Sequence, residues 1–181
     1  SGHSVSLNSA GNIVAIGAPG NDNTGGFDAG HVRIYEYSSG VWSQLGQDID
    51  GEAATDHSGM SVSLSSDGNT VAIGAVGNDG NGTDAGHVRI YIWNGITWNQ
   101  VGQDIDGEAA GDESGMSASL SSDGNTVAIG AYGNDGNGSW SGHVRIYNYN
   151  GSSWNQLGND IDGEAADDFS GFSVSLSSDG G

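Results

Sequence analysis

Short runs in which every second residue is apolar recur along the whole chain, and turns rich in Gly, Asn and Asp separate them. The central part contains four such runs: Ser61 to Ser65, Thr70 to Ala75, His87 to Trp93 and Thr97 to Ile105. Alternation with a period of two predicts half-buried β-strands. The pair Asp67-Gly68 between the first two runs is typical of a tight hairpin, because glycine adopts the positive φ that such turns need. The pattern therefore predicts four antiparallel strands.

The same set of runs occurs three times. Gly59 to Ala75 returns as Gly115 to Ala131 with a single difference at Ala118, and His31, His87 and His143 recur every 56 residues. A fixed period of this length is typical of solenoids and propellers, and four antiparallel strands are the blade of a β-propeller. We therefore predict an all-β fold of propeller blades. The predicted divisions are blades at 1–57, 58–113 and 114–169, followed by the first strand of a further blade at 170–181.

One four-stranded blade cannot bury both of its faces, so we expect the blades to stack face to face. The run Val71 to Ala75 fits this arrangement, because its Gly74 and Ala75 allow a neighbouring sheet to approach closely.

The repeated run from Ser58 to Ala75, together with Gly17-Ala18-Pro19, resembles the FG-GAP repeat of integrin-like β-propellers, in the form found in bacterial and algal extracellular repeats. The resemblance implies a seven-bladed propeller on secreted or cell-surface proteins, used in adhesion and ligand binding and often with calcium. Integrin-type calcium loops lie between the first and second strands of a blade. Here that connection is the short turn Ser65 to Thr70, so the resemblance does not carry calcium to those turns.

The charge of the chain is strongly negative, with 23 Asp and Glu against three Arg, a formal net charge of −20. Binding to nucleic acid or to an anionic membrane requires clustered cations, which this composition lacks. No apolar run approaches the roughly 20 residues that span a bilayer, so membrane insertion is not expected. With no Cys, there is neither a disulfide framework nor thiol chemistry. The expected partners are the chain itself or further repeats of a longer chain, and glycans or surface proteins.

The acidic connections between repeats are the candidate metal site. Calcium needs about six to eight hard oxygen ligands, and Asp104 to Asp112 gathers several carboxylates in one loop. The alternative is that these carboxylates form turns by accepting hydrogen bonds from backbone amides. If an ion binds, Ca²⁺ is the expected cofactor. The candidate ligands are Asp48, Asp50, Glu52, Asp56, Asp104, Asp106, Glu108, Asp112, Asp160, Asp162, Glu164 and Asp168.

Three further sets of residues are candidates for chemistry or recognition. Asn81, Asn137 and Asn150 lie in Asn-x-Ser/Thr sequons, and are glycosylation sites if the host glycosylates Asn. Exposed aromatic side chains stack on sugar rings or partner surfaces. Aromatic residues at positions where the copies differ are therefore expected to contact glycans or other ligands: Trp140, Tyr132 and Trp93.

Residues that recur in every repeat are expected to be structural. Equivalent positions on successive blades diverge, so His31, His87 and His143 are predicted to be packed, hydrogen-bonded side chains and not ligands of one zinc ion. Each Arg of the chain is expected to pair with an Asp of the same or the next blade. Trp42, Trp98 and Trp154 are expected to fill the rim.

Catalysis requires a set of different groups around one substrate, whereas nearly every polar residue here is triplicated. The sequence therefore predicts a protein that is not an enzyme. We expect an extracellular structural or adhesive repeat module, part of a longer array, filament or surface polymer. The alternative is a calcium-dependent carbohydrate- or protein-binding propeller, similar to lectins or integrins.

Overall fold

The computed structural model describes residues 1–180, which form strands and turns and no helix. The first sheet contains β1 (Ser4–Leu7), β2 (Ile13–Ala18), β3 (His31–Ser38), β4 (Val41–Gln44) and β5 (Ile49–Asp50). The second contains β6 (Ser61–Leu64), β7 (Thr70–Ala75), β8 (His87–Trp93), β9 (Trp98–Gln100) and β10 (Ile105–Asp106). The third contains β11 (Ser117–Leu120), β12 (Thr126–Ala131), β13 (His143–Tyr149), β14 (Trp154–Gln156) and β15 (Ile161–Asp162). Within the described residues there is accordingly no helix that could cross a bilayer.

Each repeat forms its own antiparallel sheet, which confirms the predicted all-β fold of three four-stranded sheets. The strands pair in chain order, β6 with β7, β7 with β8 and β8 with β9. The fourth strand differs from the prediction, because the run from Thr97 to Ile105 is broken into two pieces that both pair with β8. Gly102 lies at the break with a φ of +73°. There the chain turns away from its own sheet and toward the next repeat.

The predicted hairpin turns form where the Asp-Gly pairs lie. In the second sheet, Asp67 Oδ1 accepts hydrogen bonds from Ser65 Oγ at 2.7 Å and from the backbone nitrogen of Asn69 at 2.9 Å. Gly68 has a φ of +77°, as such a turn requires.

Two apolar cores join the three sheets, one between each pair of neighbours. The first contains Ile13, Ala15, Val32, Ile34, Ile49, Val62, Leu64, Val71, Ile73 and Trp98. The second contains Ala72, Val88, Ile90, Ile105, Leu120, Val127, Ile129, Tyr147 and Trp154. The middle sheet contributes one face to each core, so β7 is buried from Val71 onward. In β2, which packs on one side only, buried and half-buried residues alternate.

The serines of the first strands bind the next sheet. Ser61 Oγ donates to the carbonyl oxygen of Gly115 at 2.8 Å, and Ser63 Oγ accepts from the backbone nitrogen of Leu120 at 2.9 Å. A Cβ on Gly74 would collide with that same carbonyl of Gly115. The small residue is therefore needed for the close approach of neighbouring sheets, as the sequence suggested.

The segment 171–180 forms no strand, but it makes the contact that first strands make elsewhere. The backbone nitrogen of Leu176 donates to Ser119 Oγ at 3.0 Å, as that of Leu120 does to Ser63. The prediction of a further blade at 170–181 stays a prediction. Its last residue, Gly181, lies outside the described residues.

Candidate functional site

The feature that recurs between the repeats is a seam in which a Trp of one sheet is held by the preceding repeat. Trp98 is 3 % exposed, and its Nε1 donates to the carbonyl oxygen of Leu45 at 2.8 Å. The carboxamide of Gln47 accepts from the backbone nitrogen of Trp98 at 3.2 Å and donates to its carbonyl oxygen at 2.9 Å. A short segment of the first repeat thus binds both the side chain and the backbone of this Trp.

The second seam repeats these contacts. Trp154 Nε1 donates to the carbonyl oxygen of Val101 at 2.9 Å. Gln103 accepts from the backbone nitrogen of Trp154 at 3.1 Å and donates to its carbonyl oxygen at 2.8 Å. The predicted rim packing of these Trp side chains is therefore an interface between repeats.

Trp93, expected to contact a ligand, lies in the first seam. Its ring packs against Trp98 with centroids 5.4 Å apart. A Cβ on Gly46 would lie 2.6 Å from the ring of Trp93 and 3.0 Å from that of Trp98. Gly46 is therefore required both by its φ of +79° and by the closeness of the two indoles.

The first sheet presents one half of a seam to solvent. Trp42 is 45 % exposed, although it occupies the position of Trp98 and Trp154. Together with Val14, Ile16 and Tyr35 it lines an apolar hollow of about 310 Å³. We call this surface the head face.

The third sheet presents the other half. Leu157 and Ile161 are 50 % and 55 % exposed, whereas Ile105, the equivalent of Ile161, is 3 % exposed. Beside them lies a polar hollow of about 430 Å³, lined by Gln156, Gly158, Asn159, Asp160 and Asp162. We call this surface the tail face. It carries Asn159 where the inner seams have Gln47 and Gln103.

The arginines distinguish a free face from a seam. Arg89 Nη1 lies 3.1 Å from Glu52 Oε1, and its Nη2 donates to the carbonyl oxygen of Asp50 at 2.9 Å, both in the preceding repeat. On the head face, Arg33 instead binds Asp48 of its own sheet, with Nη2 2.8 Å from Oδ2. These hydrogen bonds hold the pKa of Asp48 below its usual value. Pairing with Asp is thus correct for Arg33, whereas Arg89 pairs with a Glu.

Arg145 follows the pattern of Arg89. Its Nη1 lies 3.5 Å from Glu108 Oε1, and its Nη2 donates to the carbonyl oxygen of Asp106 at 2.7 Å. Each inner seam therefore contains one buried Arg that binds the repeat before it.

His87 and His143 are packed but not hydrogen-bonded, so that part of their prediction is wrong. His87 and His143 are each 1 % exposed, and neither ring nitrogen of either residue has a hydrogen-bond partner. His87 Nδ1 lies 3.9 Å from Asp104 Oδ2 and 4.0 Å from Asp106 Oδ1. Burial, reinforced by the charge of Arg89, outweighs the carboxylates of Asp104 and Asp56 and lowers the pKa of His87 to about 4. This imidazole is therefore neutral at pH 7.

The predicted metal ligands divide between two environments. Asp56 is buried, and its Oδ2 accepts from the backbone nitrogens of Glu52 and Ala53 at 3.1 and 2.9 Å. Asp112 makes the same bonds in the next connection, and Asp168 accepts from Ala165 in the last. These three carboxylates stabilise turns. Most of the others lie near a histidine, in the sets His31, Asp48, Asp50; Glu52, His87, Asp104; and Glu108, His143, Asp160. Asp106 lies 4.0 Å from His87 and Asp162 4.0 Å from His143, whereas Glu164 is exposed and belongs to none of these sets.

An aromatic cluster lies at one end of the third sheet. Tyr132 packs against Trp140 and Phe172 with centroid distances of 5.5 and 5.7 Å, and Trp140 against Phe169 at 6.0 Å. Tyr132 donates to Glu113 Oε2 at 2.5 Å, and burial together with this bond raises its pKa to about 12. All of these rings except Tyr132 are exposed.

Sequence reasoning found only Trp140 and Tyr132 of this cluster. Phe169 and Phe172 occupy the positions of Glu113 and Met116 in the preceding repeat. This difference between the copies could have identified them as members of the cluster.

The sequons differ in how free their side chains are. Asn81 Nδ2 donates to the carbonyl oxygens of Gly107 and Glu108 at 2.9 Å, and Asn137 Nδ2 to that of Gly163 at 2.9 Å. Asn150 is exposed in a hairpin turn, where its Oδ1 accepts from backbone nitrogens. Glycosylation at any of the three stays a prediction.

Fold and site together define a class of all-β repeat proteins with stacked antiparallel sheets. The model of the FG-GAP repeat family matches residues 49–91, which confirms the resemblance. No curated protein matches the sequence significantly.

Solved structures with a similar fold come from proteins of different kinds. A candidate 6-phosphogluconolactonase of Bacteroides uniformis is 14 % identical with a TM-score of 0.57, and the match covers 87 % of this chain and 39 % of that one. A hypothetical selenium-binding protein of Sulfolobus tokodaii is 11 % identical with a TM-score of 0.54, and the match covers 84 % of this chain and 38 % of that one. A eukaryotic initiation factor is 12 % identical with a TM-score of 0.52, and the match covers 88 % of this chain and 33 % of that one. At these identities the similarity shows the fold, which is propeller-like, and the chain spans less than half of each neighbour.

Proposed function

We propose that the chain is a non-catalytic structural module whose repeats stack head to tail as propeller-like blades, within an extracellular array or filament. The observation that carries the proposal is that Trp98 and Trp154 are buried by a preceding repeat, whereas Trp42 is 45 % exposed. The extracellular location is supported by the match to the FG-GAP repeat.

The occupant we assign to the head face is the tail face of a second copy. In the inner seams, Leu45 and Val101 supply the carbonyl that binds the indole of the next repeat. Leu157 is their equivalent and is half exposed on the tail face. A contact between opposite ends of the molecule propagates into a filament unless its rotation closes a ring.

Charge complementarity favours this occupant. The two other arginines are buried in the seams, so Arg33 is the exposed cation of a chain of net charge −20. The tail face carries Asp160 and Asp162, with exposed Glu164 close by in sequence. On docking, Arg33 would exchange its own Asp48 for the carbonyl of Asp162 and the carboxylate of Glu164, as Arg89 binds Asp50 and Glu52.

Light scattering of the 181-residue chain across a concentration series tests this proposal. Salt of about 1 M shortens the Debye length to roughly 3 Å and removes most of the repulsion between acidic copies. We expect the average mass to rise with protein concentration. Trp42→Ala, which removes the indole of the head face, should abolish the rise. Asn159→Gln, which restores the Gln found in the inner seams, should enhance it. Ile96→Ala is the control, because Ile96 is 78 % exposed in a hairpin turn outside the seams. A constant monomer mass, or association unchanged by Trp42→Ala, would overturn the proposal.

The non-catalytic part has its own test, because one structural neighbour is described as a candidate lactonase. Hydrolysis of 6-phosphogluconolactone by the chain at a rate above that of buffer would contradict it.

A second candidate function, calcium-dependent binding of carbohydrate or protein, is favoured by the aromatic cluster. Trp140 and Phe169 are exposed and lie 6.0 Å apart at one end of the third sheet, a suitable platform for a sugar ring. Titration with neutral oligosaccharides, followed by Trp fluorescence, tests it. A chelator-sensitive response that Trp140→Ala removes supports this function, whereas no response in the parent chain excludes it for the sugars used.

A further inference from the structure

We infer that the clefts around His87 and His143 bind a divalent transition-metal ion, of which Zn²⁺ and Co²⁺ are the representatives. The clearest case is His143, whose Nδ1 lies close to carboxylate oxygens from two repeats. The distances are 4.0 Å to Glu108 Oε2, 3.9 Å to Asp160 Oδ2 and 4.0 Å to Asp162 Oδ1. His87 is surrounded in the same way by Glu52, Asp104 and Asp106.

The buried histidine points to a ligand independently of the acidic residues. A polar atom that is buried without a partner destabilises a fold, and both clefts contain such a nitrogen facing carboxylates. Neutral imidazole nitrogen is a common ligand of transition metals.

The spacing suits coordination after a small movement. Zinc bonds of about 2.0–2.1 Å in a tetrahedral site place ligand atoms roughly 3.4 Å apart, so each carboxylate would move inward by roughly 0.6 Å. The carboxylate side chains around His143 are 27–46 % exposed and therefore free to move. Arg145 leaves a ligand atom available, since it contacts Oε1 of Glu108 whereas Oε2 faces the His.

The charges also fit a divalent ion. Three carboxylates and one guanidinium surround His143, an excess of two negative charges that a divalent cation balances. Imidazole favours zinc-like ions over calcium, which prefers an all-oxygen shell. The ion assigned here therefore differs from the calcium expected from the acidic connections alone.

Because Glu52 and Glu108 belong to the repeat before each His, a bound ion would tie neighbouring sheets together. The cleft of His31 has only Asp48 and Asp50 of its own repeat. Resting on the proposed head-to-tail function, Glu164 of a docked copy would complete it. The single chain should therefore bind two ions tightly.

Titration calorimetry with ZnCl₂, at dilute protein where copies do not associate, tests the inference. We expect two equivalents for the parent chain, one for His143→Gln and none for the double variant His87→Gln with His143→Gln. Co²⁺ should give the visible absorption of a site containing one nitrogen ligand. Glu108→Gln, which keeps the shape of the side chain, serves if the His variants do not fold, and Glu36→Gln is the control for an exposed carboxylate outside the clefts.

Three outcomes would overturn the inference. The first two are fewer than one equivalent of Zn²⁺ on the folded parent chain, and unchanged stoichiometry in both the folded His variants and Glu108→Gln. Displacement of Co²⁺ by equimolar Ca²⁺ would also overturn it, because a site with an imidazole ligand should retain cobalt. Failure of self-association leaves these measurements unaffected, so the two proposals fail separately.

Discussion

The indole nitrogen of Trp98 donates a hydrogen bond to the carbonyl oxygen of Leu45, 2.8 Å away in the preceding repeat. Trp42 has the same place in its own sheet but is 45 % exposed. Trp98→Ala should therefore lower the free energy of unfolding by about 3–5 kcal/mol, as for buried aromatic residues in general. Trp42→Ala, a surface change in the isolated chain, should cost about 1 kcal/mol or less. Urea denaturation measures both, and equal losses would show that the seam contributes nothing.

The arginines provide a second matched pair. Arg89→Ala leaves Glu52 and the carbonyl of Asp50 without a partner in a seam where the Arg side chain is only 6 % exposed. The Glu52 carboxylate is 48 % exposed and is solvated once the Arg is removed, so we expect a loss of about 1–3 kcal/mol, the cost of leaving the carbonyl without its donor. Arg33→Ala breaks a pair whose Arg is 44 % exposed, so under roughly 1 kcal/mol is expected. Thermal or urea unfolding that ranks the two variants the other way would refute this interpretation.

Two glycines with similar positive φ values allow the cost of backbone strain to be measured separately from the cost of a steric clash. Gly46 and Gly158 have φ values of +79° and +73°, but only Gly46 lies against indole rings. Each change to Ala should cost about 1 kcal/mol for the positive φ. Gly46→Ala should cost a further 1–3 kcal/mol or so, because its new methyl group collides with Trp93. Indistinguishable melting temperatures would contradict the close packing of this seam.

The turn carboxylates make a pH-dependent contribution to stability. Asp123 accepts from Ser121 Oγ at 2.6 Å and from the backbone nitrogen of Asn125 at 3.0 Å, and these bonds hold its pKa below the usual 3.8. The folded chain therefore releases this proton more readily than the unfolded chain, so the contribution exists above pH 3.8 and disappears as the pH falls through the lowered pKa. Asp123→Asn should be less stable at pH 7 by under roughly 1 kcal/mol, since the site is exposed. Urea midpoints measured down to pH 2 should converge with those of the parent chain; a constant difference would refute the assignment.

The strands could be predicted because their determinants are local. The alternation around Val71 and the Asp67-Gly68 turn specify a hairpin without reference to any other repeat. The break in the fourth strand could not be predicted from such signals. Gly102 and Gln103 leave the sheet because Trp154, 51 residues after Gln103, lies in the next repeat.

The candidate sites were only partly predictable for the same reason. The sequence identified Asp104 and Asp106 as candidate ligands because they lie in one acidic loop, but it did not indicate that His87 lies beside them. They lie together because β10 pairs with the start of β8, opposite His87. That Arg89 crosses to the preceding repeat, whereas Arg33 does not, depends on the presence of a neighbouring sheet. No pattern within a single repeat records this difference.

The middle sheet is covered on both faces, whereas the first sheet is covered on one, and β12 of the third sheet is buried beside the segment 171–180. In such a linear array, the free energy of opening a unit is the sum of its own stability and of its couplings to adjacent units. Nearly identical strands should therefore open at different rates because of their position alone: amide protons of β7 should exchange with deuterium more slowly than those of β2. Addition of a copy at either end would redistribute this protection, so the exchange profile of the chain would register its neighbours.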